Sequence, residues 1–372
     1  MKSDFKKVPR SLTSNVPLAP YTTFRIGGPA RFFIEAHSVD DVLEAAAFAH
    51  THSLDLFVLG GGSNILIADD GFSGVVLRIE IKGITHEMKD DHALVTAGAG
   101  VSWDELVAWS IEHDFSGFEC LSGIPGTVGG AVVANLGAYG VQCSDTFIHA
   151  EVLDRQHDNP ATLKTLSTDE CEFSYHDSLF GRTPGRYVVL RATFALIPHG
   201  IPRLTYRDHR FDMAGLATRL GHEPALLDVR TAVLDMREQK GNLIMPGRPS
   251  YKGAGSFFHM PFVTREQYAD VIAKARSLDE KKEEKLRPWA WPQPDGTVKI
   301  APGFLLEYTE FKKGYVRGPV GISPKHTLVI INRNGATARD VADLARDMQS
   351  AVQNTFTIRL EREVEYVGAV EK

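Results

Sequence analysis

The amino-acid sequence predicts an α+β protein of two or three domains. Strand and helix signals alternate through the first half, and the pattern changes near residue 151. At 372 residues the chain is also too long for a single core.

The elements follow in order. "SVDDVLEAAAFAHTH" starts a helix: Ser38 and Asp41 have capping-box spacing, and Val39, Val42, Leu43 and Ala46 repeat at helical intervals. "LDLFVLGGG" is a buried strand ending in glycines, and "GVVLRI" (74–79) and "ALVTAGAG" (93–100) are further strands. "SWDELVAWSIEH" starts a second helix, with Ser102 and Glu105 again spaced as a capping box. "RYVVLRATFAL" (186–196) is a strand among loops rich in Pro, His and Asp, and "DVRTAVLDMREQK" (228–240) is helical. The charged run "DEKKEEK" followed by "RPWAWPQPDG" predicts a solvated insertion over 281–296. Thr337 caps a helix with Val341, Leu344, Ala345, Met348 and Val352 on one face. "RLEREVEYVG" closes the chain as an alternating strand.

A net charge of −6 supplies no basic face for nucleic acid. No run of about 18 apolar residues is present, so no membrane span is expected. "MKSDFKKVPR" is expected to be a loose tail and not a signal peptide, because no apolar run follows it. Cys120, Cys143 and Cys171 are odd in number and lack CxxC spacing, which argues against a disulfide framework or a metal site. They are expected to be small buried hydrophobes in a reducing, cytoplasmic setting.

Two glycine loops stand out: "GGGSN" (60–64) after a strand, and "LSGIPGTVGGAVVANLGAYG" (121–140), with six glycines and no lysine or arginine. Neither contains the GxxxxGK run of a phosphate loop. "GAGVSW" (98–103) has Trp103 where a dinucleotide fingerprint needs its third glycine. What remains is either tight turns or a nest, in which consecutive main-chain N–H groups converge on an anion without a lysine. Two such loops in one domain favour a nest closing on a diphosphate from two sides.

"YTTFRIGGPARFF", "LGGGSNILIADDGFSGVVLRI", "GAGVSWDELV" and "LSGIPGTVGGAVVANLGAYG", in this order, resemble the flavin domain of the UDP-N-acetylenolpyruvoylglucosamine reductase family. The resemblance covers roughly residues 15 to 368. It implies an FAD domain of the vanillyl-alcohol-oxidase type, made of two small subdomains, and a C-terminal substrate domain. The expected boundaries are a tail at 1–14, FAD subdomains at 15–82 and 83–230, and a substrate and catalytic domain at 231–370. FAD would lie against Gly60, Gly61, Gly62, Ser63, Asn64 and Ile65 on one side. On the other would stand Ser122, Gly123, Ile124, Pro125, Gly126, Thr127, Gly129, Gly130 and Ala131. The resemblance further implies NADPH as reductant, a UDP-sugar substrate, peptidoglycan synthesis, and a cytoplasmic monomer.

The second half resembles the same family. In "KGAGSFFHMP" Ser256 is the implied proton donor, and in "RLEREVEYVG" Glu363 is the implied carboxylate, with Glu361 as fallback. Tyr206 in "LTYRDH" and Lys240 in "MREQKGN" are the implied substrate contacts, together with Tyr175. The chemistry calls for such groups. Hydride delivered to an enolpyruvyl ether leaves negative charge that spreads into the neighbouring carboxylate. Donors or a cation placed there help most, and a hydroxyl can then supply the proton. Glu363 serves as a donor if protonated and orients other groups if ionised.

One position departs from the family pattern of Tyr-Arg-x-Ser: here "YHDS" puts His176 where the arginine stands. Histidine titrates near neutral pH whereas arginine stays charged, so His176 is expected to act as an imidazolium. "APGFLLE" also has Phe304 where the family usually has tryptophan. Two rival readings are a flavin oxidase of the same fold and a non-catalytic paralogue that binds FAD or a UDP-sugar. Retention of both Ser256 and Glu363 argues against the second.

Overall fold

A computed structural model of the chain describes residues 9–156, 161–206, 212–244 and 251–371. Most of the expected tail, residues 1–8, lies outside the described residues, as do residues 207–209 of "LTYRDH". The tail is shorter than expected, because strand Thr13–Pro17 already pairs antiparallel with strand Pro29–Ala36.

The first sheet runs Thr13–Pro17, Pro29–Ala36, Phe72–Ile79, Leu56–Leu59, and its last three strands are parallel. Helix Val39–Thr51 covers it, and the Ser38–Asp41 capping box is formed as expected. The second sheet is antiparallel, in the order Thr162–Ser167, Phe147–Asp154, Tyr187–Pro198, His92–Gly98, Ile84–Lys89. Helix Trp103–Glu112 follows it, but Ser102 makes no side-chain cap there. The expected second capping box is absent: Ser102 bridges Thr127 of the second glycine loop and the Trp103 N–H donates to the Gly126 carbonyl at 3.1 Å, while Asp104 accepts from the Gly123 N–H at 2.6 Å.

One apolar core joins helix Val39–Thr51 to the second sheet and takes in Val229, Val233 and Met236 of helix Leu226–Lys240. The expected boundary at 230/231 therefore falls inside a helix that packs with the first half. A second core, built from residues from Ala254 onward together with Phe24, Ile26, Leu66 and Ala68 of the first half, surrounds the amphipathic helix Ala338–Phe356, whose capping box Thr337–Asp340 is present. All five of its predicted apolar residues are buried.

Two other expectations are corrected. The region 281–296 is not a solvated loop: it holds helix Glu280–Leu286 and strand Ala290–Pro292, which pairs with Val298–Ile300. Glu283 of the charged run is fully buried, paired with Arg287 at 2.7 Å, so this run has an inward face. "RLEREVEYVG" is also not one strand. A single bridge, Phe258 to Arg362, precedes a short strand Glu365–Val367. That strand pairs parallel with Ile65–Ile67, directly after the first glycine loop. The two halves of the molecule are thus joined through main-chain bonds at the place where the site forms.

Candidate active site

The two glycine loops touch. A Cβ on Gly61 would come within 2.6 Å of the Gly126 Cα, so Gly61 tolerates no side chain without a backbone shift, and Gly126, at φ +130°, holds a conformation that side chains rarely adopt. The Ser63 hydroxyl donates to the Pro125 carbonyl at 3.1 Å and fixes the approach. Among the described residues, no main-chain N–H from Gly60 to Asn64 donates to another group. Val128 and Gly129, in contrast, direct theirs to the carbonyls of Val101 and Ala99, both at 2.9 Å.

These loops form one wall of a cavity of about 540 Å³. Thirteen of the fifteen expected cofactor residues line it; Ser122 and Gly123 do not. Ser122 is fully buried, its hydroxyl donating to the Glu119 carbonyl at 2.7 Å. Gly123 is gripped from behind. Its N–H is held by Asp104, and its carbonyl accepts from the buried Arg237 guanidinium at 3.0 Å. Arg230 pairs with both oxygens of Asp104, at 2.6 and 2.8 Å, and this pairing outweighs burial and holds Asp104 below the usual carboxylate range. Arg237 also donates to the Asn242 carbonyl at 2.8 Å, beside Lys240. Sequence reasoning missed Asp104, Arg230 and Arg237; nothing in their spacing announces links that span 126 and 114 positions.

The opposite wall holds the residues expected to carry the chemistry. Ser256, Glu363, Tyr175 and His176 all line the cavity. The segment after Ser256 lies antiparallel to the segment around Glu363: the Glu363 N–H donates to the Phe257 carbonyl at 3.0 Å, and the His259 N–H to the Glu361 carbonyl at 2.9 Å. Glu361, the fallback, is exposed and stands outside the lining. Glu363 is 28% exposed, and it opens into the cavity, with protein around the rest of its carboxyl. Burial pushes its pKa up to about 7.

Tyr175 and His176 sit at the tip of a tight hairpin closed by mutual main-chain bonds between Ser174 and Asp177, at 3.0 and 3.2 Å. His176 has φ +52°, the left-handed turn position. Asn135 and the Val133 carbonyl hold the hairpin's two ends, through Ser174 O at 2.7 Å and Ser178 Oγ at 2.6 Å. The imidazolium expected at His176 is not found. Burial, then the nearby His259 and Lys299, push its pKa down to about 4, so the ring is neutral at pH 7. Lys299 lies over the Tyr175 ring at 3.7 Å.

Tyr206 and Lys240 do not line the cavity. They gather on Tyr139, at its edge: the Tyr206 ring is 5.4 Å from the Tyr139 ring, and the Lys240 ammonium 5.3 Å. Tyr139, at the end of the second glycine stretch, went unnoticed in the sequence. The three cysteines are buried with raised pKa values, so none is a thiolate. Among the described residues, no cluster suited to a metal ion occurs. The other depression, about 500 Å³ at Arg317 and Asp347, is walled by charges that pair with each other.

The glycine wall suits the diphosphate of a flavin dinucleotide: main-chain donors without side chains, backed by a fixed support. Comparison with known proteins agrees. A family described as "FAD binding domain" matches residues 30–157. A second, "UDP-N-acetylenolpyruvoylglucosamine reductase, C-terminal domain", matches residues 248–367. A UDP-N-acetylenolpyruvoylglucosamine reductase of Thermobifida fusca is 38% identical over 96% of this chain and 98% of its own length. One from Pseudomonas fluorescens is 36% identical over 95% of this chain and 98% of its own. The crystal structure of the Thermus caldophilus enzyme superposes with a TM-score of 0.61 at 25% identity, covering 95% of this chain and 97% of that one.

Proposed function

The chain belongs to the UDP-N-acetylenolpyruvoylglucosamine reductase family, and on that premise we propose that it reduces UDP-N-acetylglucosamine enolpyruvate to UDP-N-acetylmuramate for peptidoglycan synthesis, using FAD and NADPH. One observation carries the reading: Ser256, Glu363 and His176 meet in a single cavity whose far wall is the paired glycine loops. FAD held there, once reduced by NADPH, would supply the hydride for the terminal enolpyruvyl carbon.

The chain's own residues account for the rest. Gly60 to Asn64 offer main-chain donors to the diphosphate. The raised pKa of Glu363 keeps about half of its population protonated at pH 7, able to donate to the enolate as charge develops. A neutral His176 adds an N–H donor, not a full positive charge. The Ser256 hydroxyl delivers the proton to the adjacent carbon. Tyr206 and Lys240, gathered on Tyr139, receive the UDP moiety, with the ammonium toward phosphate. NADPH and the sugar nucleotide use the same cavity in turn. Relatives that match along nearly the whole chain bear the reductase name, which favours this reading over an oxidase. We place the protein in the cytoplasm as a monomer; buried free thiols support a reducing compartment, and no described helix is long and apolar enough to cross a membrane.

The test is anaerobic reduction of the yellow protein by NADPH, followed by UDP-N-acetylglucosamine enolpyruvate. Rapid return of the oxidised flavin band is expected, slowed about 100- to 10,000-fold in Ser256→Ala. A flavin that stays reduced in the unaltered protein refutes the assignment.

A further inference from the structure

His259 has no role in the account so far, yet its ring lies within 4 Å of the Glu363 carboxyl. The antiparallel pairing of Phe258 with Arg362 and the bond from the His259 N–H to the Glu361 carbonyl fix its main chain. Its Nδ1 lies 3.9 Å from Glu363 Oε2, about 0.7 Å beyond hydrogen-bonding range. Its ring centroid stands 6.4 Å from that of His176, so it occupies the space between the carboxyl and the hairpin tip.

The other charged or titratable groups here are few. From the hairpin come Tyr175 and His176. Lys299 comes from strand Val298–Ile300, lying over the Tyr175 ring. From the terminal segment come Glu361 and Arg362, which lies against Tyr366 at 3.6 Å. Burial holds the His259 ring below the usual histidine range, and Glu361 offsets part of that by favouring its charged form. None of these groups forms an ion pair with Glu363, whose partner within 4 Å is His259.

Resting on the reductase reading, a requirement follows from stoichiometry. Adding a hydride and a proton across a carbon–carbon double bond takes one proton from water in each turnover. Ser256 gives that proton up and must recover it. Glu363 opens into the cavity that the substrate fills, so its own direct route to water closes at the moment of reaction. His259, 34% exposed, borders both the carboxyl and solvent.

We propose that His259 is a positioning residue for proton supply, carrying a proton from solvent to Glu363 and through it to the serine side of the site. In the step, the N–H bond of the protonated ring at Nδ1 breaks and an O–H bond forms at Glu363 Oε2. No electrons change hands, and the neutral ring then takes its next proton from water. The chain thereby gains through a histidine–carboxyl pair part of what a fixed cation at position 176 would have provided.

The experiment is anaerobic stopped flow on the FAD-loaded protein and its His259→Ala and His259→Gln variants, between about pH 6 and 9. Reduction by NADPH is expected to stay within about twofold of the unaltered protein. Reoxidation by UDP-N-acetylglucosamine enolpyruvate is expected to slow about 10- to 100-fold, most at the low end of that range where the ring is protonated, and added imidazole should restore much of it in His259→Ala. Reoxidation that keeps its rate and pH profile overturns the proposal. So does an equal slowing at every pH with no imidazole rescue, which would mark a packing role only. The glutamine variant guards against a collapsed alanine site. An unaltered protein that never reoxidises sinks the reductase reading and this inference with it, a result distinct from any outcome in the variants.

Discussion

Replacing Glu363 by glutamine isolates the cost of burying its charge. Burial raises the carboxyl from 4.5 to about 7, so the folded state binds the proton more tightly than the unfolded chain does. The contribution to stability is therefore fully present below about pH 4.5 and is lost as pH rises through about 7. Each pKa unit is worth about 1.4 kcal/mol, so the loss amounts to roughly 3 kcal/mol at pH 8.5 and above. Glutamine has nearly the same shape and no charge to lose. Glu363→Gln should match the unaltered protein at pH 4.5 and exceed its stability by roughly 3 kcal/mol at pH 8.5. Urea unfolding at several pH values, with FAD saturating throughout, gives the difference directly. A gap that stays flat within about 1 kcal/mol across that range would show that the cavity solvates the carboxylate, and the donor role of Glu363 would lose its basis.

Gly61→Ala should lower FAD affinity sharply while leaving the fold intact, because its Cβ meets the Gly126 main chain at 2.6 Å; flavin retained on gel filtration at the unaltered level would refute the loop-to-loop account. Asp104→Ala should cost about 3–5 kcal/mol, since it leaves the half-buried Arg230 unpaired and frees the Gly123 N–H, and thermal melts check it. His176→Arg should speed flavin reoxidation by substrate if a permanent cation is what the site lacks, as stopped flow would read; a slower rate would show a pocket adapted to a neutral ring. His176 itself, held near 4 against an ordinary 6.5, withdraws stability as pH falls from 6.5 toward 4, so His176→Asn should flatten acid unfolding in that window.

The local signals were legible where one segment decides its own structure. The Ser38–Asp41 and Thr337–Asp340 boxes need only a few consecutive residues, and both form. The same spacing at Ser102 forms no box; there the chain bridges the distant Thr127. The charged run at 279–285 misled for a similar reason: Arg276 and Arg287 allow Glu283 to turn inward, and composition does not report who pairs with whom. For the site, the glycine loops and the serine and glutamate motifs were readable by resemblance. The protonation state of His176 was not, since it depends first on burial and then on His259 and Lys299, all of which arise only on folding.

The distances along the chain explain why this site has to be built at a seam. Asn64 donates its side-chain N–H to the Glu363 carbonyl at 3.1 Å, a contact spanning 299 residues, and its own carbonyl accepts from Glu365 at 3.0 Å. The parallel register Glu365↔Ile65, Tyr366↔Leu66 and Val367↔Ile67 extends that contact. Cofactor loop and carboxylate therefore share one main-chain frame. A slip of one residue in this short pairing would reverse the faces of the strand and strain the Asn64 link to Glu363. Asp69 adds a second tie, accepting from the N–H groups of Ala338 and Arg339 at 2.8 and 3.2 Å at the start of the long C-terminal helix. Rigidity at this junction, more than the burial of any one group, keeps the proton-bearing wall at a constant distance from the glycine wall.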